Sequence, residues 1–142
     1  MLTLDKVYRA HHLLKSVARY TDMIEGNGLT EDCDFRLKAE NLQLTGSFKL
    51  RGVFFKIASL PQDDREIIAC SAGNHSQGVS LAAWKLNCKA VIFMPSIAPI
   101  SKVEATRKLG AEVHLVDGVY DDAYLAADEY CKKKRRYLRS SF

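Results

Sequence analysis

The sequence predicts an α/β fold, an open parallel sheet with flanking helices. Three observations carry this expectation. Short strand-like runs at Ile67–Cys70, Ala90–Met94 and Glu112–Val116 alternate with helical stretches. Helix breakers sit at the junctions, as Gly73-Asn74, Pro95, Gly110 and Gly118. The residues AVILMFWYC make up 47% of the 142, beside 27% DEKR, which fits a folded domain and excludes a disordered chain. With only 8 Gly and 3 Pro, a collagen-like or linker-rich chain is also excluded.

Taken in order, residues 4–19 read as a helix, because Val7, Ala10, Leu14 and Val17 recur at three-and-four spacing. Lys6, Arg9 and Lys15 fall outside that stripe. Asn27-Gly28 marks a turn, and residues 35–39 alternate like a strand. Thr45-Gly46-Ser47 is a loop. A helix from Phe48 to Leu60 is stopped by Pro61. The first apolar run, 67–70, leads through Gly73-Asn74 into a helix to Leu86. The second, 90–94, is closed by Pro95 and followed by a helix from Ser101 to Leu109, with Gly110 as its stop. Residues 112–116 form a third strand, and Gly118 opens a helix from about Asp121 to Lys134.

The net charge of +4 is local. Lys132, Lys133, Lys134, Arg135, Arg136 and Arg139 stand at the end with no acid among them. Without these six, 15 bases face 17 acids. The body is mildly acidic, so no nucleic-acid partner is expected. No apolar run approaches the ~20 residues of a membrane span, and Asp5, Lys6 and Arg9 leave no signal-peptide core. A cytoplasmic protein with no membrane partner is expected. Cys33, Cys70, Cys88 and Cys131 show no CxxC spacing, and His11 and His12 are adjacent, so no metal site is expected.

Ligands of a doubly wound sheet collect at the carboxyl ends of its strands. That rule points to Ser71-Ala72-Gly73-Asn74-His75, a loop that follows a strand and opens a helix. Backbone N–H groups at a helix start attract anions, and Gly73 permits close approach. A Gly-Asn loop also serves geometry alone, and both readings stay open here. Lys49, beside Phe48 at a loop-to-helix junction, is a second feature. A lysine in an apolar niche has a lowered pKa and reacts with carbonyls, whereas an isolated lysine is usually a solvated one.

Two long stretches go further. Residues 38–52, Lys-Ala-Glu-Asn-Leu-Gln-Leu-Thr-Gly-Ser-Phe-Lys-Leu-Arg-Gly, resemble the cofactor-lysine segment of the fold-type II, tryptophan synthase β-like, pyridoxal-phosphate enzymes. Residues 71–79, Ser-Ala-Gly-Asn-His-Ser-Gln-Gly-Val, resemble their asparagine loop in the form used by threonine and serine dehydratases. Phe93-Met94-Pro95, Lys102-Val103-Glu104 and Leu109 to Val113 are similar to the segment that follows. The resemblance covers residues 1 to 134.

It implies a partial fold-type II fold, with the small domain at 52–134 and an N-terminal part of the large domain at 1–51. It implies that Lys49 holds pyridoxal phosphate covalently, Phe48 packs beside the ring and Asn74 bonds the ring oxygen. Ser71, Ala72, Gly73, Asn74 and His75 would receive the substrate carboxylate, in agreement with the anion argument. The implied reaction is β-elimination from threonine or serine. Lys49 takes the Cα proton, the β-hydroxyl leaves as water, and hydrolysis yields a 2-oxo acid and ammonia. His75 argues against cysteine synthases, which usually carry Thr there. Serine racemases carry a serine where Ala72 stands, and alanine cannot donate a proton, so dehydration is favoured. Serine racemase, threonine synthase and a non-catalytic anion- or partner-binding domain are the alternative readings.

The sequence departs from the family in two ways. Thr21-Asp22 replaces the usual Thr-Pro, which loosens a loop without removing a catalytic group. The Gly-rich phosphate loop and the residue facing the pyridine nitrogen are expected beyond these residues. Permitted codons for residues 135–142, read one base later, spell a phrase that family members carry after this helix. The original frame then meets a stop codon after Phe142. An adenine run at Lys132–Lys134 would allow the slip. Residues 135–142 are therefore expected to be an out-of-frame tail and the chain a truncated homo-oligomeric lyase, doubtful in activity by itself. Residues 1–51 would expose an apolar face or pair with another copy.

Overall fold

A computed structural model describes residues 1–26, 33–61 and 66–134. The turn expected at Asn27-Gly28 and the tail at 135–142 lie outside the described residues. The elements are α1 (Leu4–Leu14), β1 (Met23–Glu25), β2 (Arg36–Lys38), a 3-10 turn (Glu40–Leu42), α2 (Lys49–Ala58), β3 (Glu66–Cys70), α3 (Asn74–Lys85), β4 (Lys89–Pro95), α4 (Ile100–Lys108), β5 (Glu112–Val116) and α5 (Tyr120–Lys134).

The fold is α/β, as expected. β3, β4 and β5 form a parallel sheet in sequence order, with Ile68 opposite Val91 and Ile92 opposite Val113. β4 is central and buried from Ala90 to Pro95. Alternate residues serve opposite faces. Ile67, Ala69, Ala90, Ile92 and Met94 pack with α2, α3 and α4, while Ile68, Cys70, Val91 and Phe93 pack with Ala123, Ala127 and Cys131 of α5. α3 touches the sheet on one side and α2 on the other, and Ser76 through Ala83 are all buried. A helix buried all round needs no polar stripe, and its small residues let both layers come close.

The N-terminal third differs from its expected form. α1 ends at Leu14 rather than continuing to residue 19. Beyond a last turn in which Ala18 N donates to Leu14 O at 2.8 Å, the buried side-chain amide of Gln43 accepts from Arg19 N at 2.9 Å and donates to Arg19 O at 2.8 Å. Only Leu14 and Val17 of the stripe are buried. Val7 stays 47% exposed. The strand near residues 35–39 pairs antiparallel with β1, which the sequence pattern did not reveal, and every residue of the ribbon is exposed.

α4 and its stop follow expectation. Gly110 has φ +84°, the left-handed conformation of a helix terminator. Gly118, at φ +109°, leaves the space filled by Asp122, whose carboxylate accepts from Val119 N at 2.8 Å to start α5.

Candidate active site

The carboxyl end of β3 runs into Ser71, whose N–H donates to Phe93 O at 3.1 Å and prolongs the ladder with β4. The chain then turns through Ala72 and Gly73 into α3. Ser71 Oγ accepts from Gly73 N at 3.3 Å, which rounds the loop. No side chain caps α3 at Gly73. Asn74 is exposed, and His75 is half-buried one residue later.

Lys49 opens α2, with Phe48 as the N-cap. The two helices meet at Gly78. A Cβ built there would lie 3.5 Å from the Lys49 carbonyl carbon and 3.6 Å from Lys49 Cβ. These are ordinary contact distances, so a methyl fits. The approach sets Lys49 beside His75, and Phe48, Lys49, Gly52, Val53 and His75 line one cavity of about 90 Å³. Lys49 Nζ sits 5.2 Å from the Phe48 ring centroid, over its face. His75 has its pKa held below the ordinary value, first by burial and then by the Lys49 charge. It therefore lines the cavity as a neutral ring at neutral pH. Thr45, four residues before Lys49, has a buried hydroxyl with no hydrogen-bond partner among the described residues.

Phe48 also lines a larger groove of about 640 Å³, bordered by Lys15, Arg19, Lys38 and Arg51. Glu40 is its acid, held by a bidentate pair with Arg51 at 2.7 Å for both bonds. Arg51 keeps the Glu40 carboxyl below the usual carboxylate range.

Of the Ser-Ala-Gly-Asn-His loop, His75 lines this cavity with Phe48 and Lys49, whereas Ser71, Ala72, Gly73 and Asn74 are not among its lining residues. Two contacts were not foreseen. Lys102, in the first turn of α4, donates to Asn74 Oδ1 at 2.9 Å. Ser76 and Thr106 meet at 3.1 Å in the buried seam between α3 and α4. Lys102 lay inside a recognisable stretch, but nothing in its spacing tied it to residue 74.

The family of pyridoxal-phosphate dependent enzymes matches residues 14–142. An L-threonine ammonia-lyase of Thermotoga maritima is 46% identical over 131 residues, 89% of this chain and 33% of its own length. The catabolic L-threonine dehydratase TdcB of Escherichia coli is 38% identical over 139 residues, 95% of this chain and 42% of its own. The processed form of threonine deaminase isoform 2 from Solanum lycopersicum superposes with a TM-score of 0.81 at 32% identity, covering 96% of this chain and 40% of that one. Maize serine racemase, at 24% identity and a TM-score of 0.85 over 95% of this chain and 42% of that one, shares the fold. The chain spans about a third to two-fifths of the length of the curated relatives it matches.

Proposed function

The chain belongs to the pyridoxal-phosphate dependent enzyme family, and on that premise we propose that it is the N-terminal part of a threonine/serine ammonia-lyase. Such an enzyme removes the β-hydroxyl of L-threonine or L-serine and releases a 2-oxo acid and ammonia. The observation that carries this reading is the cavity shared by Lys49 and His75, which joins the two recognisable stretches in space.

The residues present fit the reactive end of the cofactor. Lys49 lines the cavity, and an aromatic ring stands beside its amine. Lys49 is the residue that would hold pyridoxal phosphate, with Phe48 beside the ring and Asn74 toward the ring oxygen. When bound, the cofactor draws off the electron pair left at Cα. Lys49 Nζ takes the Cα proton. Ser71 to His75, at the uncapped start of α3, receive the substrate carboxylate through backbone N–H groups and the helix dipole. Ala72 offers no proton to the opposite face, which favours elimination over racemisation.

The phosphate and the pyridine nitrogen are assigned to the two-thirds of the relatives' length that these residues do not span. A homo-oligomer working in cytoplasmic amino-acid metabolism accords with this reading. Among the described residues, no helix is long and apolar enough to cross a membrane.

The test joins residues 1–134 to the remaining part of the Thermotoga maritima relative. Borohydride reduction with pyridoxal phosphate should fix the cofactor on Lys49, and threonine should yield a 2-oxo acid. A hybrid that folds but forms no Lys49 adduct would overturn the proposal in favour of a non-catalytic anion-binding domain.

A further inference from the structure

The contact between Lys102 and Asn74 decides more than its length suggests. A carboxamide has an acceptor end and a donor end, whereas a lysine ammonium only donates. With Lys102 Nζ at 2.9 Å, the oxygen of Asn74 is committed to the lysine. Its Nδ2 is thereby turned away as a donor. A ring oxygen of phenolic type, carrying negative charge, accepts hydrogen bonds and is served by Nδ2 alone. The ammonium also polarises the amide carbonyl, which strengthens the N–H groups as donors.

We propose that Lys102 is a positioning residue that orients the Asn74 amide so that Nδ2 faces the cofactor side as a hydrogen-bond donor. This rests on the reading of Lys49 and Asn74 as a pyridoxal-phosphate site.

A second tie from the same helix supports it. Ser76 and Thr106 are fully buried. Their hydroxyls lie 3.1 Å apart, Ser76 Oγ is 2.6 Å from Gly73 O, and Thr106 Oγ1 is 2.8 Å from Lys102 O. Two hydroxyls carry two protons, so one proton serves two of the three contacts. Ser76 Oγ donates to Gly73 O, and Thr106 Oγ1 shares its one proton between Lys102 O and Ser76 Oγ. α4 thus grips the chain at Gly73 and at Asn74, the two residues that open α3.

The chain contains four asparagines, at 27, 41, 74 and 87, so selective labelling with ¹⁵N-asparagine yields four side-chain amide pairs. Asn74→Asp identifies its pair by deletion. In the wild-type chain that pair should be shifted downfield by the ammonium. Lys102→Met, which keeps the stem and removes the donor, should return it to the position of a solvated amide while the other three pairs stay in place. Lys102→Arg should hold it near the wild-type position. An unmoved Asn74 pair in Lys102→Met would overturn the assignment.

The same substitutions, made in residues 1–134 joined to the remaining part of the Thermotoga maritima relative, are then titrated with pyridoxal phosphate, reduced with borohydride and mapped for modification at Lys49. Loss of one oriented hydrogen bond should raise the concentration needed on the order of tenfold in Lys102→Met, with recovery in Lys102→Arg. Equal modification in the wild type and Lys102→Met overturns the positioning role. If no variant is modified at Lys49, the cofactor reading fails, and the amide shifts decide the orientation of Asn74 independently.

Discussion

Lys49 is a half-buried amine with one aromatic neighbour and one imidazole across a small cavity. Lys49→Ala in the hybrid chain should abolish both the reducible adduct and the 2-oxo acid, because on the proposed reading the same nitrogen would hold the cofactor and take the proton. Peptide mapping and a coupled assay of product check this. Gly78→Val should act through the same residue. Its branches exceed the methyl that fits at 3.5–3.6 Å from Lys49, so α2 must retreat from α3. Modification at Lys49 should fall severalfold while Gly78→Ala stays near wild type. For His75 the sign of the pH effect follows from its lowered pKa. The unfolded chain binds the proton more readily than the folded one, so stability is complete above the ordinary histidine pKa. It is lost as pH falls from there through the folded value. Urea midpoints should drop between neutral pH and about pH 5.5, below the ordinary histidine pKa of ~6.5, and His75→Gln should flatten that drop.

At the scale of elements, α2 and α3 form the joint that assembles the site, and α4 braces it through Lys102 and Thr106. The 3-10 turn is tied to α2 by the Glu40–Arg51 pair, which also accepts Thr21 Oγ1 at 3.3 Å. Arg51→Met would leave the Glu40 carboxylate partly buried without its partner. Chemical denaturation should show a loss of about 1–3 kcal/mol at neutral pH. The loss should shrink in acid. The Glu40 pKa is lowered in the folded chain, so the pair's contribution is full above the ordinary carboxylate pKa and disappears as pH falls through the folded one. The β1–β2 ribbon is tied to the preceding segment by Lys38, whose Nζ donates to Thr21 O. Two short exposed strands are marginal by themselves, and their backbone amides should exchange with solvent well before those of β4.

For the molecule as a whole, the parallel sheet is covered on both faces, but the first 48 residues expose Leu4, Val7, Met23, Ile24, Leu37 and Phe48. An apolar surface of that spread calls for a partner. The 142 residues expressed alone should associate with themselves in sedimentation experiments. They should also produce no 2-oxo acid from threonine. The phosphate dianion would lack its donors, each charge-assisted bond being worth roughly 1.5–3 kcal/mol. Turnover by the 142 residues at the hybrid's rate would refute that expectation.

By itself the sequence determined the alternation of strands and helices, the stops at Pro95 and Gly110, the loop at 71–75 and the lysine at 49. These are local properties, set by side-chain period, backbone restriction and contiguous motif. Tertiary structure decided what depends on contacts far apart in the chain. Gln43 clamps Arg19 across 24 positions of sequence, and β1 exists as a partner of β2. Gly78 sets how near Lys49 comes to His75, and Lys102 reaches Asn74 across 28 positions of sequence. No period within one segment encodes such pairs, because each becomes a contact only after the sheet has brought two helices side by side.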